Sequence, residues 1–337
     1  MMSKKYIAVV VLAVLGLAAL FWSRQRTLPP QWHESEGVVW TTDYHIAYLG
    51  QDDLSDSIQA VLQLLDRSAS VYNKSSLVAR FNAGTSTQVD AILDTLYRAS
   101  MAVHRATEGA FDPTVMPLVN AWGFGYKNGV LPTQTQVDSI LQFVGLEKVK
   151  LAEGKFVKSD PRVQLDFSSI AKGLACDEVG RMLQRNGISC YMVEIGGEIA
   201  CSGTNREGNA WRVSVDMPTD QPDTVSHEAM LVLALNEGGV ATSGSYRKYR
   251  DTGGERISHI VNPKTGRSEA SDLVSVTVVA SSCMLADAWA TACMVMGTEA
   301  VQRMMQGRDD LGVMTISDID DQLVVWSNAR FADLVAQ

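Results

Sequence analysis

Cysteine is scarce in this chain of 337 residues: there are five, an odd number, and no C-x-x-C pair. Cys176, Cys190, Cys201, Cys283 and Cys293 all lie in apolar stretches. This argues against a disulfide framework or a cysteine zinc site and leaves five small buried hydrophobes. Net basic charge is also missing. Lys and Arg number 29 against 38 Asp and Glu, for a formal charge of −9. Without a basic stripe, this argues against nucleic acid as a partner. A polyanionic ligand would need local positive help, from a metal ion or a helix N-terminus. There is no internal repeat and no low-complexity tract, so the chain is not a repeat array.

One uncharged apolar run is present, Tyr6–Trp22, behind the basic stretch Met1–Lys5. It reads as a signal peptide or short membrane anchor. No small-x-small cleavage site precedes a polar terminus, which favours an uncleaved anchor. Leu20 stands where a lipoprotein box would have Cys, so lipidation there is excluded. We therefore expect an anchor at residues 1–26, a linker at 27–36 around its Pro pair, and one domain at 37–337. The bulk of the chain is expected on the extracytoplasmic, periplasmic side of a bacterial inner membrane.

The remaining composition, 46% hydrophobic and 20% charged, supports a large core. Apolar periodicity predicts helices over Asp53–Asp66, Val89–Thr107, Thr135–Val144 and from Ser168 to about Asn186. A first strand is expected over Gly37–Tyr48 and a loop over Ser68–Asn82. Phe111–Gly125 is too rich in Pro and Gly to be one element. Short strands are expected near Lys148–Leu151, Lys155–Lys158, Val163–Asp166, Tyr191–Ile195, Glu198–Cys201, Trp211–Val215, Ser226–Leu235 and Gly239–Ala241, with a terminal hairpin at Gly312–Ser317 and Leu323–Ser327. Helices segregated from mostly antiparallel strands give an α+β fold, read as two intimately packed lobes.

The chemistry concentrates between Leu231 and Gly297. Val274–Ala280 reads as a buried strand, and Ser281-Ser282 can cap the helix that follows. On that helix Asp287 and Thr291 are four residues apart and share a face with Met284, Ala288 and Val295. A carboxylate on an apolar face is costly unless it is paired. A hard cation held by Asp287 and Thr291 would relieve the cost, and so would capping by Thr291 and backbone donors. Earlier, V-Q-L-D-F-S-S-I-A-K-G at Val163–Gly173 reads as strand, polar turn and helix start, a place that favours phosphate. Asp166 there is either a simple cap or an acceptor for a ring N–H or a ribose hydroxyl. Tyr72, Trp40, Phe111 and Trp122 sit in loops or at element ends, where they either stack on a flat ligand or fill the core. His259, beside the turn N-P-K-T-G, is a candidate base or a structural ring.

Together the motifs S-V-Y-N-K-S-S, F-D-P-T-V-M-P-L-V-N-A-W-G-F-G, L-D-F-S-S-I-A-K-G, E-I-G-G-E-I, T-S-G-S-Y, H-I-V-N-P-K-T-G and A-D-A-W-A-T resemble the ApbE-type flavin transferases, the FAD:protein FMN transferases. The resemblance runs from about Gly37 to the C-terminus. It implies a T-fold-like arrangement of mixed and antiparallel sheets with packed helices. It also implies an enzyme that uses Mg²⁺ to cleave FAD, joins FMN through its phosphate to a threonine of an acceptor flavoprotein in respiration or electron transfer, and releases AMP. By the same resemblance Asp287 and Thr291 match metal ligands, with Ser169 or the Ala171 carbonyl completing the shell. Trp40, Tyr72, Ala110, Phe111, Asp112, Asp166, Lys172 and Val261 match positions lining FAD, and His259 matches the catalytic histidine. Trp40 stands where the family often has Met, and Asn262 where Asp is common. Two other functions fit the same residues: a flavin carrier without transfer, and an FAD pyrophosphatase with water as acceptor.

Overall fold

The computed structural model of the protein describes residues 29–124, 131–218, 229–245, 249–252, 255–268, 272–320 and 322–336. The expected anchor segment lies outside them. Among the described residues, no helix is long and apolar enough to cross a membrane.

An eight-stranded antiparallel sheet organises the described residues. Its strands follow chain order: Gln31–Val39, Thr42–Gly50, Tyr191–Ile195, Glu198–Ser202, Glu237–Gly244, Leu273–Ala280, Gly312–Ile319 and Gln322–Ser327. Successive side chains on a strand point to opposite faces, and two apolar layers result. Val193, Ile195, Ala241, Val276, Val278 and Val313 join the larger core on one face. Val240, Val279, Met314 and Ile316 join a second cluster on the other, under a hairpin of Trp211–Asp216 and Ala229–Leu235. The Leu273–Ala280 strand is covered on both sides, and this explains its near-continuous apolar sequence.

Two long helices, Ser168–Arg185 and Cys283–Met296, pack against each other and over the larger core. The second is apolar almost all round because it is buried almost all round. Its N-terminus is capped by Ser282, whose Oγ accepts from Leu285 N–H at 3.3 Å. Asp177 adds to this, its two oxygens accepting from Cys283 and Met284 N–H at 2.9 and 3.0 Å. The five cysteines are free thiols, four of them buried.

Several boundaries differ from expectation. The expected first strand is a hairpin of two, beginning at Gln31 inside the stretch read as linker. Trp32 and His33 explain the early start, for Trp32 packs edge-on to Trp211 at 5.7 Å and His33 stacks on Tyr48 at 5.1 Å. Trp40 and Thr41 form the two-residue turn, both at positive φ (50° and 65°), so Trp40 is a turn residue. Leu77–Asn82 is a short helix capped by Ser76, within a stretch expected to be loop. Val163–Phe167 is not a strand; Leu165 is pinned instead by the Asn82 side chain, which bonds both its N–H and its C=O.

Candidate active site

A cleft of about 380 Å³ opens beside the two long helices. Its floor is set by a close helix crossing. A Cβ on Gly173 would sit 2.4 Å from the Cys283 carbonyl oxygen, and one on Gly239 would sit 2.1 Å from Cys283 N. Only glycine permits this approach. The approach lets Gly173 N–H donate to Asp287 Oδ2 at 3.1 Å. Asp287 is thereby held, 3% exposed, facing the cleft from one turn below Thr291 and two below Val295. Thr291 Oγ1 lies 3.4 Å from Ser243 Oγ on the Glu237–Gly244 strand. Replacing Gly173 with alanine should therefore spread the helices, at a cost of about 1–3 kcal/mol or more. A melting temperature equal to that of the unaltered protein would contradict this packing argument.

The opposite wall comes from the Tyr191–Ile195/Glu198–Ser202 hairpin. Gly196 and Gly197 form its two-residue turn at φ 64° and 96°, which sets Glu198 opposite Ile195. Partners in an antiparallel pair share a face, so Glu198 points with Ile195 into the helix layer. There it is 5% exposed and ion-paired through Oε1 with Lys172, while its Oε2 finds no hydrogen-bond donor among the described residues. Burial pushes the Glu198 carboxyl up to about 7, with Lys172 pulling it down and Asp287 pushing it further up. Burial likewise raises Asp287, opposed by Lys172 and the Gly173 N–H. Burial disfavours the Lys172 ammonium, but Asp287 and Glu198 outweigh this and hold its pKa above the ordinary lysine value. The charges of two buried carboxylates thus act on one ammonium, which is ion-paired with Glu198.

The remaining walls come from loops. Tyr72 is 72% exposed at the rim, near Asp166. Asp166 Oδ1 accepts from Ser168 N–H at 2.9 Å and Ser168 Oγ at 2.5 Å, so it braces the helix start, and burial raises its carboxyl against those two bonds. Ala110, Phe111 and Asp112 line the cleft and are buried. The Asp112 carboxylate is engaged structurally, accepting from Thr114 N–H, Thr114 Oγ and Leu146 N–H at 2.8, 2.6 and 2.9 Å. His259 lies on the lining, 6.4 Å edge-on from Phe124. Val261 behind it packs with Leu118, Val137 and Val144. Asn262 supports the turn, its Oδ1 accepting from Lys264 N–H at 2.9 Å, which an aspartate would do equally.

The cleft thus gathers Tyr72, Ala110–Asp112, Asp166, Ser169, Lys172, Val261, His259, Asp287 and Thr291. Trp40 and Ala171 are not on its lining. The Trp40 indole N–H donates to Asp66 at 3.1 Å, and Ala171 lies one residue before Lys172 on the helix. Glu198 carries no role in the sequence reading. Its signal was present in E-I-G-G-E-I, where two turn glycines precede an acidic residue that starts a buried strand. His104, Asp112 and Glu147 also cluster. There His104 Nδ1 lies 2.9 Å from the Phe111 carbonyl, and Glu147 Oε1 accepts from Lys148 Nζ at 3.1 Å.

Comparison with known proteins fixes the family. The ApbE family profile matches residues 40–315. The chain belongs to the ApbE family. It is 34% identical to the FAD:protein FMN transferase of Escherichia coli, over 93% of this chain and 94% of that one. It is also 34% identical to the FAD:protein FMN transferase of Vibrio cholerae, over 96% and 99%. The solved flavin transferase ApbE from Vibrio cholerae superposes with a TM-score of 0.80 over 91% of this chain and all of that chain. The apo flavinyl transferase ApbE of Pseudomonas stutzeri, 28% identical, also gives 0.80, over 91% and 98%. The α+β fold with antiparallel sheets is that of this family.

Proposed function

We propose that the chain is a Mg²⁺-dependent FAD:protein FMN transferase that modifies a threonine of an acceptor protein. The observation that carries this reading is the convergence, in one cleft of an ApbE-family fold, of His259, Lys172 and the Asp287/Thr291 pair. The donor set suits a hard divalent cation. Asp287 supplies a buried carboxylate, Thr291 and Ser169 supply hydroxyls, and the one ammonium on this wall is ion-paired with Glu198. Asp287 and Thr291 would hold the ion, with Ser169 or the Ala171 carbonyl completing the shell. The bound ion supplies charge neutralisation and Lewis acidity at the FAD pyrophosphate.

The chain's own residues do the rest. Tyr72 at the rim offers a ring face to the flavin, and the Ala110–Asp112 segment closes the wall against it. Lys172 places a fixed positive charge beside the phosphates. His259 takes the proton from the acceptor threonine hydroxyl as its oxygen attacks the FMN phosphorus. One P–O bond of the pyrophosphate breaks, AMP leaves with the bridging oxygen, and FMN remains on the threonine as a phosphodiester. Positioning and charge stabilisation, more than covalent catalysis, carry this transfer.

Incubation with FAD, Mg²⁺ and a candidate acceptor, followed by a denaturing gel, is the direct test. Flavin fluorescence on the acceptor band is expected, with AMP released in equal amount. AMP without fluorescence on any acceptor would instead indicate a pyrophosphatase. FAD bound with no AMP formed would indicate a carrier.

A further inference from the structure

Glu198 is the strongest feature of the cleft without a part in the transfer just described. It is 5% exposed, one oxygen is ion-paired with Lys172, and the other has no donor among the described residues. A buried carboxylate left half-satisfied is costly, and its retention calls for a reason. The charge arrangement supplies one. Lys172 projects from the Ser168–Arg185 helix one residue before Gly173, whose N–H holds Asp287. The ammonium is ion-paired with Glu198, and Asp287 lines the same cleft. Without Glu198, Asp287 would be the remaining acid for Lys172. An ammonium paired to Asp287 neutralises the charge that a cation needs.

We propose that Glu198 is a positioning residue that holds Lys172 off Asp287, so that the Asp287 carboxylate stays available to a divalent cation. This rests on the metal reading given above. Glu198 acts on the ion only through Lys172 and is not itself a ligand. The formal charges state the same idea. Asp287, Glu198 and Lys172 sum to −1; losing the Glu198 charge gives 0; losing the Lys172 charge as well restores −1. A neutral site disfavours a dication.

Calorimetric titration with Mg²⁺, on the full chain without FAD, tests this independently of turnover and of Lys172's contact with FAD. Four proteins are needed: the unaltered chain, Glu198→Gln, Lys172→Met, and the double variant, each with its melting temperature measured. Glu198→Gln should weaken Mg²⁺ binding roughly 10–100-fold. The double variant should recover most of that loss, because the ammonium that competes is gone. A double variant as weak as Glu198→Gln, at comparable melting temperature, would make Glu198 a direct ligand and overturn the inference. Unchanged affinity in Glu198→Gln would overturn it too. Should Glu198→Gln fail to fold, the double variant alone decides: near-normal Mg²⁺ affinity supports the inference and weak binding opposes it. If the unaltered chain binds no Mg²⁺, or Asp287→Asn binds it equally well, the metal reading itself fails and takes this inference with it.

Discussion

Asp287→Asn should remove Mg²⁺-dependent FMN transfer almost completely while leaving a protein that folds at least as well as the original. The activity loss follows from the donor set. Asp287 is the charged ligand proposed for the cation, and its neighbours Thr291 and Ser169 offer only neutral hydroxyls. A metal's charge stabilisation at a phosphoryl group is worth several kcal/mol, so roughly a thousandfold loss in rate is expected. Thr291→Ala should be milder, because a hydroxyl contributes less than a charge. The stability expectation has the opposite sign. Asn is nearly isosteric, and its side-chain oxygen can still accept from Gly173 N–H. In the metal-free protein burial raises the Asp287 carboxyl above its ordinary value despite Lys172. A group with a raised folded pKa binds its proton more tightly folded than unfolded. Metal-free stability therefore falls as pH rises from the ordinary aspartate range toward the folded pKa. Asp287→Asn lacks that contribution, so near neutral pH and without metal it should melt no lower than the unaltered chain. Thermal melts in chelator with and without added Mg²⁺, beside single-turnover transfer, read both. Full transfer by this variant at ordinary Mg²⁺ would sink the metal assignment, and a large drop in its metal-free melting temperature would show that the carboxylate is structural.

Local geometry in the sequence brought out part of this site, and the family resemblance supplied Ala110–Asp112, Lys172 and Val261. Asp287 and Thr291 are four apart on one helix, and helical spacing alone puts them on one face. The helix start at Ser168 and the capping Ser282 carry local chemistry, and both appear in the structure. What escaped depends on long-range contact. The strand at Gln31 is stabilised by Trp32 on Trp211 and by Arg206 paired with Glu34, partners more than 170 residues away. The short helix at Leu77 hides in a polar stretch because one Ser cap and two buried side chains, Val78 and Phe81, suffice to hold it. Trp40 is an aromatic at an element end, which in sequence looks the same whether the ring faces a ligand or a neighbouring acid. In the structure its indole N–H bonds Asp66, and Trp40 is not among the residues that line the cleft. Glu198 was obscured for a related reason. Its importance comes from facing Lys172 across the sheet and helix layers, and no spacing along the chain encodes that pairing.

His259→Ala should keep FAD and Mg²⁺ binding and lose most FMN transfer. A threonine hydroxyl is a poor nucleophile at neutral pH, and a positioned base is worth roughly 10²–10⁴-fold. Histidine suits the task because its side chain changes charge near the working pH. The structure puts His259 on the same cleft wall as Val261 and Pro263, in a cavity it shares with Asp287, Thr291 and Lys172. None of the proposed metal ligands depends on it, so its removal leaves the cation site intact. The unaltered enzyme should slow on the acid side, as the ring takes up a proton and can no longer accept one, and that acid limb should vanish from the residual activity of the variant. A purely structural ring gives a different pattern. His259 packs edge-on to Phe124, and Val261 two residues on is buried with Leu118 and Val137. If packing were its only role, the alanine variant would lose melting temperature and FAD affinity together, with residual transfer following the folded fraction. His259→Gln separates the two further: it fills similar space and can hydrogen-bond but cannot act as a base, so it should restore stability and leave transfer low. FAD affinity, melting temperature and single-turnover transfer measured on the same preparations decide between them. Normal transfer by His259→Gln would remove the residue from the proton-transfer step.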